Sequence, residues 1–312
     1  MLLDILKILL FPGCAFLTAY AMCLEYVDRK AYARMQNRVG PPWYQPLADF
    51  VKLIGKKTII PHNAGRRTFV ALPIVSLAAV ITAYISVPVW GKAAVVGYEG
   101  DLVVVLYLLT IPTICLFLAG FTSHNVYTTM GAFRTLTQMF AYEVPLFIAL
   151  LSPAILAGTW SITDILAFYA ANPLLTLVNL PAFLIALISA QSKLERAPFD
   201  APEAETEIVG GALVEYSGRY LAFMHVSAVC ELAVVTSVIA ALFLPFVTGL
   251  AALDFGLYLA KTLALVLLLA LLRASVARIR MDQMLNFCWM ILTPIAFVQI
   301  FVNLFLRGGL GL

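Results

Sequence analysis

Eight stretches of this chain are apolar over a length that matches a lipid bilayer: about residues 2–25, 69–90, 102–121, 140–159, 176–192, 221–248, 256–275 and 285–306. A hydrocarbon core about 30 Å thick is crossed by roughly 20 apolar residues in a helix. The chain is therefore expected to be all-α. It reads as a single polytopic membrane domain over 1–312, with about eight transmembrane helices and an additional amphipathic helix at the surface. Composition agrees: 62% of the 312 residues are hydrophobic and 12% are charged, with a mean hydropathy of +0.96, which excludes an ordinary soluble domain. The fifth stretch is short and interrupted by Pro181. The opening segment stays apolar to about residue 24, so it reads as the first span and not as a cleavable signal.

Lysine and arginine orient the spans. Sixteen of the twenty basic residues fall in the loops after the first, third, fifth and seventh spans, leaving only Lys7, Lys92, Lys261 and Arg307 on the other side. Cytoplasmic loops carry the excess of positive charge. Loops 28–68 and 193–220 are thus expected to be cytoplasmic and both termini external. Within the first loop, after Pro41, Pro42 and Pro46, the residues Leu47, Phe50, Val51 and Ile54 recur at helical spacing, with Asp49, Lys52, Lys56 and Lys57 elsewhere around the turn. That pattern describes an amphipathic helix lying on the membrane or under a partner.

The other polar loop is unusual. Six acids (Glu195, Asp200, Glu203, Glu205, Glu207, Glu215) face three bases (Lys193, Arg196, Arg219), with nearly pure apolar sequence on both sides. Pro202 suits the first turn of a helix, where the dipole favours Glu203 and Glu205. If that helix continues, Glu203, Glu207, Gly211 and Glu215 form a stripe at four-residue intervals. Carboxylates so spaced repel and hold protons more tightly. Such a stripe can store and pass protons, although a solvated cytoplasmic loop would carry the same charges.

Three further acids sit in or beside spans. Glu231 lies roughly ten residues inside the sixth span, about 15 Å deep at helical rise. An ionisable group at that depth marks a functional site, or a carboxyl kept neutral by burial or bonded to a neighbouring helix. His225 is a candidate relay partner for it. Glu25, near the inner end of the first span, is shallower. Glu143, at the mouth of the fourth span, must find a partner or line a wet path, and Arg134 and Gln138 are the nearest candidates in sequence. His124, in the polar connection before that span, reads as a satisfied polar residue. The cysteines at 14, 23, 115, 230 and 288 form no CxxC, so they suggest neither a metal site nor a disulfide framework. There is no Walker loop, GxGxxG or HExxH, and no chemistry of the chain's own is indicated. Instead, Glu25, Glu143, the 200–215 cluster and Glu231 make the row of groups that a proton or cation path needs.

The segment Glu195-Arg-Ala-Pro-Phe-Asp-Ala-Pro-Glu-Ala-Glu-Thr-Glu-Ile-Val-Gly-Gly, followed by Glu215-Tyr-Ser-Gly, resembles the signature of complex I subunit 1. That family includes the H-type membrane subunits of respiratory complexes and energy-converting hydrogenases. Arg34-Met-Gln-Asn-Arg38-Val-Gly-Pro, Ala141-Tyr-Glu143-Val-Pro and Arg278-Ile-Arg-Met-Asp282-Gln283 agree with it, in order, over nearly the whole chain. The resemblance implies an all-helical subunit without a redox centre or metal of its own, in a prokaryotic plasma membrane. Iron–sulfur clusters, and nickel–iron in the hydrogenase branch, would sit in the partner subunits of a peripheral arm docked on the cytoplasmic side. Antiporter-like membrane subunits would continue the ion path. By position, Glu143, Asp200, Glu203, Glu205, Glu207 and Glu215 would serve coupling and ion movement, while Arg34, Arg38, Arg196, Arg278, Arg280 and Asp282 would serve the interface and its charge pairing. Glu231 and Glu25 join the first group on their depth alone. Quinone-reducing members usually read Ala-Glu-x-Asn-Arg where this chain has Ser192-Lys193-Leu194-Glu195-Arg196, and carry a longer link before Gln45-Pro46. Both departures resemble the membrane hydrogenases and their sulfur-reducing relatives. The other readings are a quinone-site component of a respiratory dehydrogenase and a stand-alone ion transporter. The second would be expected to show internal repeats, which are absent from the sequence.

Overall fold

In the computed structural model, residues 2–62, 64–91, 93–202 and 204–310 are described, without side-chain detail at 2–5, 205, 206 and 310. They form helices α1 (Leu2–Leu9), α2 (Cys14–Met35), α3 (Gln45–Gly55), α4 (Arg66–Ile85), α5 (Asp101–Thr122), α6 (Val126–Ala157), α7 (Ile162–Ala171), α8 (Pro173–Val178), α9 (Leu180–Lys193), α10 (Glu205–Ile208), α11 (Gly218–Phe243), α12 (Ala251–Ser275), α13 (Met281–Phe287) and α14 (Thr293–Leu310). A wide turn at Cys288–Leu292 joins the last two into one span. Among the described residues, seven helical segments are long and apolar enough to cross a membrane.

At the expected fifth span stands a shorter helix, the 14-residue α9, which is about 21 Å long. Lipid cannot satisfy a chain break at membrane depth, but protein can. Here Asn179, at the break before α9, accepts from Asn303 Nδ2 at 2.8 Å and donates to the Tyr169 hydroxyl at 2.8 Å. Asn303 also donates to Ser152 at 2.8 Å. The interruption at Pro181 is thus absorbed inside the bundle, with the proline in the first turn of α9.

Two helices extend well past their apolar runs. Pro12 and Gly13 separate α1 from α2, and α2 then continues ten residues beyond Glu25. The 32-residue α6 is about 48 Å long. Its first turns take up most of the polar connection expected before the fourth span, so that Arg134 and Gln138 stand on a rigid helix.

The most buried helix is α11, which packs against α2, α3, α4 and α12 at the centre of the bundle. The amphipathic α3 forms as expected. Pro46 and Phe50 turn toward α2 and α11, while Leu47, Val51 and Ile54 remain exposed. The acidic helix does not continue. After the single turn of α10, Val209, Gly210 and Gly211 all adopt positive φ (66°, 141° and 66°) and reverse the chain. Gly211 then presses on α6 so closely that a Cβ at Gly131 would lie 2.6 Å from its carbonyl carbon. Glu207 and Glu215 therefore share no helical stripe.

Candidate functional site

The continuation of α2 places Glu25, Asp28 and Arg29 on one face, at spacings of three and four residues. Arg29 pairs with Glu25 within the helix and reaches Asp49 of α3 at 3.1 Å. Gln45 Nε2 steadies that aspartate from one turn earlier, at 2.9 Å. His225 of α11 approaches both groups, 3.7 Å from Glu25 and 3.4 Å from Arg29. Asp28 is only 1% exposed. It is held by Arg196 at 2.8 Å, from the acidic loop, and by Arg273 at 3.6 Å, from the end of α12. The Arg273 guanidinium also lies over the Tyr32 ring at 4.3 Å. Burial pulls the pKa of Arg196 below the ordinary arginine value, and Asp28 acts most strongly in the opposite direction. Glu25, Asp28, Arg29, Arg196, His225 and Arg273, with Asp200 and Arg278, line a cavity of about 580 Å³ at the end of the bundle that carries the long polar loops.

The outer part of the acidic loop is clamped by arginines. Arg278 contacts Asp200 at 3.0 Å and Glu207 at 3.2 Å. Arg134 reaches Glu207 at 2.6 Å and the Ala201 carbonyl at 3.3 Å. Hydrogen bonding from Arg134, then the charge of Arg278, holds the Glu207 carboxyl below the usual range. This is the reverse of the shift expected from mutual repulsion, because arginines and not other acids are its neighbours. Ile279 N donates to the Pro198 carbonyl at 3.0 Å, so the α12–α13 loop is tied to the acidic loop through backbone as well. Glu215 accepts from Asn125 Nδ2 at 2.5 Å. Glu203 lies outside the described residues, as does the side chain of Glu205. Arg280 and Asp282 form an exposed pair at 3.6 Å. Arg34 and Arg38 are exposed beyond the end of the α2 charge cluster.

Deeper in the bundle, Lys193 and Glu231 form an ion pair at 2.7 Å with side chains 2% and 9% exposed. Glu231 is thirteen residues into α11, about 20 Å along its axis. Lys193 Nζ also donates to the Leu109 carbonyl at 2.6 Å, next to the Leu108 carbonyl that Pro112, inside the continuous α5, leaves without its helical donor. The expected partnership of Glu231 with His225 does not form: six residues apart on a helix, the two point to different sides, and His225 faces Glu25. Nor does Glu143 bond to its sequence neighbours. Gln138 donates instead to the carbonyls of Ser192 (2.7 Å) and Phe199 (2.8 Å), and Arg134 to Glu207. A second cavity, about 90 Å³, lies beside the Lys193–Glu231 pair and shares Leu194, Glu195 and Ala228 in its wall with the larger one.

Sequence reasoning does not single out Asp28, Arg29, Arg273 or Lys193 as site residues. Asp28 carries a signal, since it follows Glu25 by three residues, but the apolar run that marks the span ends at 25. Lys193 stands out as one of the three bases of the acidic loop, but nothing in the sequence pairs it with Glu231, 38 positions away on another helix. Among the described residues, no three His, Cys, Asp or Glu side chains converge where a metal ion could be held.

Residues 6–304 match the family described as NADH dehydrogenase. Three curated relatives are each described as the H subunit of an NADH-quinone oxidoreductase. The one from Rubrobacter xylanophilus is 34% identical over 297 residues, covering 91% of this chain and 90% of its own. The one from Thermomicrobium roseum is 34% identical over 301 residues (89% and 88%), and that from Carboxydothermus hydrogenoformans 35% over 305 residues (93% and 85%). Among solved structures, a chain of the membrane-bound sulfane sulfur reductase, an archaeal respiratory membrane complex, superposes with a TM-score of 0.86 at 28% identity. The match covers 96% of this chain and 99% of that one.

Proposed function

Since the chain belongs to the NADH dehydrogenase family, as the H-type membrane subunit of a complex I-like oxidoreductase, we propose that it anchors a peripheral electron-transfer arm on its loop face and begins the ion path that electron transfer drives. In this reading the loop face is cytoplasmic and both termini external. Iron–sulfur clusters, and nickel–iron or another terminal centre, belong to the arm, and antiporter-like subunits continue the path. The likeness to the sulfane sulfur reductase and the Ser192-Lys193-Leu194-Glu195-Arg196 segment favour the hydrogenase and sulfur-reductase branch.

The proposal rests on one observation. Ionisable groups line the way from the 580 Å³ cavity (Glu25, Asp28, His225, Arg196) past Glu195 to the Lys193–Glu231 pair at mid-span, through two cavities with a common wall. Buried charges are costly in a membrane unless they are paired or in use. Arginine pairs at Asp200 and Glu207 couple this path to the surface on which an arm would sit. A shift of charge or shape there would change which acids hold protons.

The test is ion translocation by the purified complex in vesicles carrying Glu143→Gln or Glu231→Gln. Assembled complexes are expected to lose translocation, and full translocation by both variants would refute the reading. A quinone-site role is the second reading. It is favoured by the names of the relatives. Quinone retained by the purified complex would support it.

A further inference from the structure

We propose that the junction of α3, α4 and α11 on the loop face binds an anionic phospholipid, with its phosphate among five basic side chains and its acyl chains along the exposed side of α3. The inference stands apart from the ion path and adds a ligand to the subunit.

Three segments meet at this junction. Ile59 N donates to the Ser217 hydroxyl at 3.0 Å. A Cβ on Gly218 would lie 2.6 Å from Thr58 Cγ2 and 2.8 Å from the Lys56 carbonyl oxygen, so the chain that leaves α3 runs directly against the first turn of α11. The Tyr216 ring stacks on Phe69, at the start of α4, with centroids 3.9 Å apart. These segments carry Lys56 and Lys57, Arg66 and Arg67, and Arg219, all of them exposed. Among the described residues none of the five takes part in an ion pair. Arg219 rests on the ring of Tyr220, 5.2 Å from its centroid. Glu215, four residues before it, is turned to Asn125. Charges of one sign gathered in this way raise the local concentration of anions.

The depth of the patch and the surface beside it identify the anion. Pro46 and Phe50, on the protein side of α3, face Met22 and Glu25 of α2 and Val226 of α11, at the inner end of the first apolar run. Helix α3 therefore lies at the edge of the hydrocarbon layer. Its exposed side carries Leu47, Val51 and Ile54, at 53%, 60% and 48% exposure, and Ile59 follows at 62%. Acyl chains solvate such a stripe, and water does not. The cations stand further out. Gly218 precedes His225, the residue that faces Glu25, by seven positions of α11, about 10 Å along the axis. The headgroup layer extends about 5–8 Å beyond the hydrocarbon, within reach of long basic side chains. An acidic surface of a peripheral arm would match the charge but not an apolar stripe at the depth of Glu25. Basic groups at phosphate level above apolar groups at acyl level fit an anionic lipid.

The test uses the assembled complex in nanodiscs doped with phosphatidylglycerol or phosphatidylcholine, each carrying the same photoactivatable acyl chain, with cross-linked peptides identified by mass spectrometry. Labelling over 47–59 is expected to be about fivefold stronger from phosphatidylglycerol, and the preference is expected to shrink at high salt. Lys56→Gln, Lys57→Gln, Arg66→Gln and Arg67→Gln together should abolish it, while labelling of the last span stays constant. Equal labelling by the two lipids in the unsubstituted complex overturns the proposal, whether or not the variant assembles. A preference that survives in the variant also overturns it, because the anion is then held elsewhere. So does a stripe that neither lipid labels until the peripheral arm is stripped away, which would assign this surface to the arm.

Discussion

Replacing Asp28 by Ala removes the carboxylate shared by Arg196 and Arg273. The size of the effect follows from the geometry. At 2.8 Å and an effective dielectric of about 20, the attraction to Arg196 is roughly 6 kcal/mol, most of it offset by desolvation. Removing one partner of a buried pair typically costs about 3–5 kcal/mol, because the remaining charge is stranded. Arg196 is 17% exposed at its side chain and Arg273 29%, and both line the 580 Å³ cavity, where water can reach them. The cost should therefore fall at the low end, about 3 kcal/mol, or roughly 5–10 °C in melting temperature. Thermal unfolding in detergent, followed by tryptophan fluorescence, measures it. Combining Asp28→Ala with Arg196→Met should cost about 1–3 kcal/mol less than the two changes added, since the stranded guanidinium is gone. A shift for Asp28→Ala below about 2 °C, or strict additivity, would show that the pair is already solvated and that this buried triad does not organise the loop face.

Glu207 makes the acidic loop sensitive to acid. Its carboxyl is held low first by the hydrogen bond from Arg134 and then by Arg278. A depressed acid contributes stability above its unfolded value, near about 4.3, and loses it as pH falls through the folded value. Hydrogen-exchange protection over 204–217, taken relative to the intrinsic rate at each pH, should be flat from about pH 6 to 8 and should fall below about pH 4, with a smaller fall in high salt as the exposed pairs are screened. Gly131→Ala should lift the same loop, because its new Cβ would meet the Gly211 backbone at 2.6 Å. Overpacking of this kind costs about 1–3 kcal/mol, readable as faster proteolysis at 209–214. Unchanged cleavage would mean that the two backbones can part freely.

Apolar length is a local property, so the long spans are legible in the sequence, and helical spacing locates α3 at Gln45–Gly55 from Leu47, Phe50, Val51 and Ile54. Apolar length cannot show where polar helices end. The extension of α2 that carries Asp28, and the first turns of α6 that carry Arg134 and Gln138, lie past the apolar runs, where good helix formers and neighbouring loops keep the helix going. The acids stand out in sequence because charge is rare in such a chain, but tertiary structure alone chooses their partners. The stripe from Glu203 to Glu215 is reasonable from spacing, yet Val209-Gly210-Gly211 turn back because the loop must reach α6 at Gly131, and arginines from α6 and the α12–α13 loop then claim Glu207. Glu231 and Lys193, 38 positions apart, meet because α9 ends where α11 is deepest in the bundle. Helix formation is decided over a few neighbouring residues, whereas a buried charge is neutralised by whatever the fold brings within about 4 Å, and that distance is set only when the helices pack.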